Sequence, residues 1–98
     1  MTEQLNKAIN DLLQFLLIHK SGHNINYFIT TLQEMSSILK NSHMSEETVG
    51  ELKVLYKSMF FPREGLSDFY ILNQDKILMN KYNNQYASLL RAIDELLN

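Results

Sequence analysis

Apolar residues recur at i, i+3, i+4, i+7 spacing in four separate stretches of this chain, a period that only a helix gathers onto one face. The first stretch runs from about Thr2 to Lys20. Leu5, Ala8, Ile9, Leu12, Leu13 and Leu16 make one stripe, with Lys7, Asn10, Asp11 and Gln14 opposite. Thr2 is the expected N-cap, and Glu3 lies in the first turn, where the helix dipole favours an anion. Ile18 falls off the stripe. Ser21-Gly22 supplies a stop, because glycine takes the left-handed conformation at no steric cost.

The second helix is expected from about Ile25 to Lys40, capped by Asn24. Its stripe is Ile25, Phe28, Ile29, Leu32, Met35 and Leu39. Tyr27 and Ile38 fall together on another side, roughly 200° round from Ile25. Two apolar residues on a second face call for a second neighbour, either another helix of the fold or another molecule. Asn41-Ser42-His43 reads as a loop. Ser45 then opens a third helix as its cap, with Glu46 and Glu47 in the first turn and Met44 placed to staple onto Val49. Val49, Leu52, Leu55, Tyr56 and Met59 make its stripe, and Pro62 is the expected stop, since the residue before a proline is pushed out of helical geometry. The fourth helix is expected from about Asp75 to Leu97. Its stripe is the longest: Leu78, Met79, Tyr82, Tyr86, Leu89, Leu90, Ile93, Leu96 and Leu97.

These elements predict an all-α fold, an antiparallel four-helix bundle made by one domain over residues 1–98. A chain of 98 residues buries roughly two thirds of its unfolded surface, enough for one core without covalent staples. It has no cysteine, which excludes disulfides and thiolate metal sites and fits a cytoplasmic setting. The formal charge is −2 and the nine Lys and Arg are spread out, so no basic block marks a nucleic-acid partner. The run from Leu12 to Ile18 is interrupted by Gln14 and is far shorter than the ~20 residues of a membrane span. No secretory signal is visible: Glu3 precedes Lys7, and no small-residue cleavage site follows. Abundant Asn, Lys and Ile beside scarce Arg and Ala hint at a low-GC bacterium or its phage.

The connection between the third and fourth helices does not read as plain scaffold. It is Phe60-Phe61-Pro62-Arg63-Glu64-Gly65-Leu66-Ser67-Asp68-Phe69-Tyr70-Ile71-Leu72. It holds the only proline, and five of the ten aromatics fall between Tyr56 and Tyr70. Ser67 would cap a short helical turn through Phe69, Tyr70 and Leu72, the favoured reading. The alternative is an extended segment, which aromatic and β-branched residues prefer. The connection either folds back to plug one end of the bundle or presents a binding surface, and the two are compatible. Long ordered loops often carry function, and aromatics and Arg are enriched where proteins meet. Phe61, Arg63, Asp68, Phe69 and Tyr70 are the expected contacts.

Catalytic and metal chemistry finds little footing. His19 and His23 are four apart, but Ser21-Gly22 breaks the helix between them, and His43 sits in another loop. Glu47 and Glu51 are one turn apart on the third helix, an arrangement equally suited to a solvated face. Asp94 and Glu95 oppose the dipole at the end of the fourth helix, either as an acidic patch or as unoptimised surface. There is no Gly-x-Ser-x-Gly, and three glycines leave no nucleotide-binding loop. Tyr82 and Tyr86 read as core residues with hydroxyls reaching solvent. No catalytic residue and no cofactor is expected.

The stretch from Met59 to Ile71 resembles a motif of small proteins from low-GC bacteria: an aromatic, a proline, glycine, Leu-Ser/Gly-Asp, then aromatics. Glu64 stands where that pattern has a second glycine. Size, charge and helical layout are similar to immunity proteins, the partners of bacterial toxins and bacteriocins, including the four-helix immunity proteins of lactic-acid bacteria. What the resemblance implies is a cytoplasmic, non-catalytic protein that docks onto a toxin. The alternative is a structural or regulatory helical module acting as a homodimer, for which Tyr27, Ile38 and Ile18 would supply the contact.

Overall fold

The computed structural model describes residues 2–19, 25–41, 45–60, 65–66, 71 and 74–97. Among them are four helices and no strand: α1 (Thr2–Ile18), α2 (Asn26–Asn41), α3 (Glu46–Lys57) and α4 (Lys76–Leu97). The four stretches of helical spacing are these four helices. No helix among the described residues is long and apolar enough to cross a membrane.

The ends are set locally. α1 begins at Thr2, which lies inside the helix rather than capping it, and ends at Ile18, two residues before Lys20. The His19 amide still donates to the Phe15 carbonyl at 3.0 Å. Ser21, Gly22 and the expected cap Asn24 lie outside the described residues. Asn41 is the last residue of α2 rather than part of a loop, and its amide donates to the Ser37 hydroxyl at 3.3 Å. Ser45 caps α3 as expected: its backbone is extended and its Oγ accepts from the Thr48 amide at 3.2 Å. Met44, the expected staple, lies outside the described residues.

α3 stops at Lys57, well before Pro62. The Ser58 hydroxyl donates to the Leu55 carbonyl at 2.6 Å, and the amides of Met59 and Phe60 reach the carbonyls of Tyr56 and Lys57 at 3.1 Å each. These i to i−3 bonds satisfy carbonyls that a helix end leaves without partners, and they tighten the last turn. The helix thus ends before Pro62 is reached in sequence. At the start of α4, Asp75 is the cap: its Oδ1 accepts from the amides of Ile77 and Leu78 at 2.9 and 3.3 Å.

α1 packs against both α2 and α4, and α3 packs mainly against α2. All six residues of the α1 stripe are buried, and Leu5, Ile9, Leu12 and Leu16 are fully so. They meet Leu32 and Met35 of α2, Leu52 of α3 and Ile93 of α4 in one core cluster. Phe15, outside the stripe, is buried too, because its ring lies against Tyr86 of α4 with centroids 5.8 Å apart. The second face of α2 belongs to α3. The Tyr27 hydroxyl donates to Ser58 at 2.9 Å, and Ile38 is half-buried against the core. The α4 stripe is longest but least covered: only Tyr86, Ile93 and Leu97 are buried. Ser36, buried between α1 and α2, donates to the Asn6 side chain at 3.3 Å. Among the described residues no buried side-chain polar atom lacks a hydrogen-bond partner.

Candidate functional site

The connection over residues 58–75 is anchored to the core at each of its described apolar positions. Met59 and Leu66 are fully buried, and Ile71 nearly so. The Leu66 amide donates to the Met59 carbonyl at 2.7 Å, which brings Leu66 back beside Met59. Two side chains of α4 complete the anchorage. The Tyr86 hydroxyl donates to the Leu66 carbonyl. The Asn83 side-chain amide takes both backbone groups of Ile71: its Oδ1 accepts from the Ile71 amide at 2.8 Å, and its Nδ2 donates to the Ile71 carbonyl at 3.0 Å. The same Nδ2 donates to the Met79 carbonyl at 2.9 Å, which fixes the amide's orientation. Asn83 thus satisfies Ile71 as a neighbouring strand would, without any strand being present among the described residues. Met59, Leu66 and Ile71 are core, whereas Phe61, Phe69 and Tyr70, on whose burial the plugging expectation turns, lie outside the described residues.

A second polar lock joins α3 to α4. The Tyr56 hydroxyl donates to the Leu90 carbonyl at 3.2 Å, and the Asp94 carboxylate acts on the same phenol. Burial above all, then Asp94, pushes the Tyr56 phenol well above its ordinary pKa. Burial does the same to Tyr86. Asp94 is exposed, and its carboxylate adds to the effect of burial on Tyr56.

The five expected contacts, Phe61, Arg63, Asp68, Phe69 and Tyr70, lie outside the described residues, as do Pro62, His23 and His43. They fall in sequence between the anchors: Phe61 and Arg63 between Met59 and Leu66, and Asp68, Phe69 and Tyr70 between Leu66 and Ile71. His19 is half-buried between the rings of Phe15 and Tyr82, at 4.5 and 4.6 Å between centroids. It packs as an aromatic. Tyr86 is core and Tyr82 half-buried. No group of three or more acidic or histidine side chains among the described residues is placed to hold a metal ion.

Sequence reasoning passed over Asn83. The signal was present: Asn83 occupies a stripe position, four after Met79 and three before Tyr86. A polar residue at such a place needs a specific partner. Gly50 was also passed over. It stands mid-helix in α3, where glycine costs about 1 kcal/mol relative to alanine, and a methyl group added there would meet nothing within 4 Å. Beside it a groove of about 390 Å³ separates α2 from α3, lined by Glu34, Ile38, Gly50, Glu51, Val54 and Leu55. Val54 is 68% exposed, less than Ile18 and Ile77. Comparison of the chain with protein-family models, with curated proteins and with solved structures finds no match in any of the three.

Proposed function

We propose that this chain is a non-catalytic protein-binding module, an immunity or inhibitor protein that occludes a cognate bacterial toxin in the cytoplasm. The observation that carries the reading is the double anchorage of the connection by Tyr86 and Asn83. Met59, Leu66 and Ile71 are held in place, and the five expected contacts fall in sequence between these fixed points, which would lower the ordering cost of docking there. On this reading Phe61, Arg63, Asp68, Phe69 and Tyr70 touch the partner, with the aromatics as anchors and Arg63 and Asp68 giving register.

The architecture that goes with it is an antiparallel bundle. In its support, Asn6 near the start of α1 meets Ser36 late in α2, and Tyr27 at the start of α2 meets Ser58 just past α3. Phe15 and His19 late in α1 meet Tyr86 and Tyr82 of α4 in reversed order. Of the residues named for the homodimer alternative, Ile18 is 73% and Tyr27 49% exposed, and Ile38 is half-buried against the core. Capture from lysate tests the reading, with the tagged wild type beside a Phe69→Ala/Tyr70→Ala variant. A single protein retained by the wild type alone, with helicity equal in both, supports it. Equal retention by both removes the connection from the interface, and a dimer by light scattering with nothing captured moves the homodimer ahead.

A further inference from the structure

The groove between α2 and α3 is lined by none of the connection's described residues and has its own chemistry. Its floor is apolar, made by Ile38, Leu55 and the exposed Val54. Glu34 on one wall and Glu51 on the other are both exposed. Glu47 lies one turn before Glu51 on the same face of α3. Among the described residues the one ion pair is Lys7 with Asp11, on α1, so none of these three glutamates is paired there. On α2 no Lys or Arg shares the face of Tyr27, Glu34 and Ile38; on α3 the exposed Lys57, three after Val54 and seven after Gly50, lies at the edge of the face at the Tyr27 end, so the acidic stretch is that of Glu34, Glu47 and Glu51. Gly50 supplies the last observation. Its backbone is helical and open space lies above its Cα, so neither a turn nor internal packing explains glycine there. Glycine in a helix face lets another backbone come close.

We propose that this groove receives a basic amphipathic helix of a partner protein, whose backbone crosses close over Gly50. Its apolar residues at i, i+3 and i+4 meet Val54, Leu55 and Ile38, and its Lys or Arg residues flank that stripe and meet Glu34, Glu47 and Glu51. The seam from Tyr27 to Ile38 rises about 16 Å, three turns of helix, so a segment of about 11 residues covers it. Tyr27, 49% exposed, closes one end with an aromatic ring. A second copy of this chain is a poor occupant, because a two-fold contact through this face sets the same glutamates against one another. The proposal rests on the protein-binding reading but uses different residues, so each fails on its own variants.

The test is selection of a phage-displayed library of helix-biased peptides of about 16 residues on the immobilised wild-type protein. Selected peptides are then titrated by fluorescence anisotropy at low and at moderate salt. The expected peptides carry Lys or Arg beside an apolar i, i+3, i+4 pattern, and added salt weakens them. Gly50→Trp, which fills the open space, and Glu34→Lys/Glu51→Lys, which reverses the walls, should each weaken binding roughly tenfold or more. Phe69→Ala/Tyr70→Ala should leave it unchanged. Circular dichroism checks that the variants stay helical, and the charge-reversed pair carries the test if Gly50→Trp does not. Failure to select any peptide, selection of acidic or uncharged peptides, or binding indifferent to both groove variants overturns the proposal. So does a dimer of the wild type that Gly50→Trp dissolves.

Discussion

Tyr86→Phe removes one oxygen atom from the place where α4 holds the connection. The ring stays, and with it the contact with Phe15, so the loss is confined to the bond to the Leu66 carbonyl. Leu66 is fully buried, and water does not reach that carbonyl in the intact fold. A hydrogen bond is worth about 1 kcal/mol net, but an acceptor left buried without a donor costs about 1–3 kcal/mol. The expected destabilisation at neutral pH is thus about 2 kcal/mol. For a domain of this size that lowers Tm by about 4–8 °C per kcal/mol.

The same hydroxyl gives the prediction a second readout. Burial raises the folded-state pKa of Tyr86 above its ordinary value of 10.0, while the unfolded chain titrates near that value. Above pH 10 the folded state therefore binds more protons than the unfolded state, so stability falls as pH rises. The stability tied to this group is complete below pH 10 and declines at about 1.4 kcal/mol per pH unit above it. Tyr56 behaves alike for the reasons given above, so the wild type carries two such protons and the Phe variant one. All other titrating groups are common to both proteins. The stability gap between them should hold steady from pH 7 to pH 9.5, then shrink by about 1.4 kcal/mol per pH unit. Urea unfolding followed by far-ultraviolet circular dichroism between pH 7 and pH 11 measures both. A gap under about 0.5 kcal/mol at pH 7, or one that does not change up to pH 11, refutes the bond and the burial argument together.

Asn83→Ala strips both partners from the Ile71 backbone and should cost about 1–3 kcal/mol; hydrogen exchange at the Ile71 amide should accelerate more than at Leu52, which a general loss of stability would not produce. Leu12→Ala opens a cavity where α1 is fully buried, and thermal melting should show a loss of about 2–5 kcal/mol. Gly50→Ala should stabilise by about 0.5–1 kcal/mol, since the methyl group meets nothing and the helix gains propensity; destabilisation in the same melt would mean that the glycine has a packing role inside the fold.

The helices were legible because their signals are local. The α1 stripe needed only periodicity, and every residue of it is buried. The start of α3 needed only Ser45 and the glutamates after it. Its end was misplaced, because Pro62 is a loud stop while the operative contact, Ser58 to the Leu55 carbonyl, looks in sequence like any exposed serine. Asp94 read as a cost to the helix dipole, since Tyr56, whose phenol it acts on, sits on another helix and only the folded chain brings them together. Phe15 was left off the stripe for a similar reason: α1 has neighbours on two sides, and a single stripe accounts for one. The candidate site divides the same way. The unusual composition of the connection is visible in the letters, whereas its anchors are long-range bonds from α4. Gly50 is a visible anomaly in sequence, but only the fold shows that the space above it is empty.

The anchors also make the binding reading vulnerable in a useful way. Ordering one residue of backbone costs about 1–2 kcal/mol, and the stretches between Met59, Leu66 and Ile71 are short. If partner contacts lie between the anchors, Tyr86→Phe and Asn83→Ala should weaken docking by roughly ten- to a hundredfold, although both residues sit on α4 and lie outside the proposed contact set. The double variant should approach the loss caused by Phe69→Ala/Tyr70→Ala. The effect should appear at temperatures well below the melting point of each variant, where the helices stay folded. Calorimetric titration with the captured partner reads it directly: weaker binding should come with a more unfavourable entropy, because the connection must then be ordered by the partner. Unchanged affinity in a Tyr86→Phe protein whose stability has dropped as expected would show that α4 anchors the connection for the fold alone, and that the contact surface lies elsewhere on the molecule.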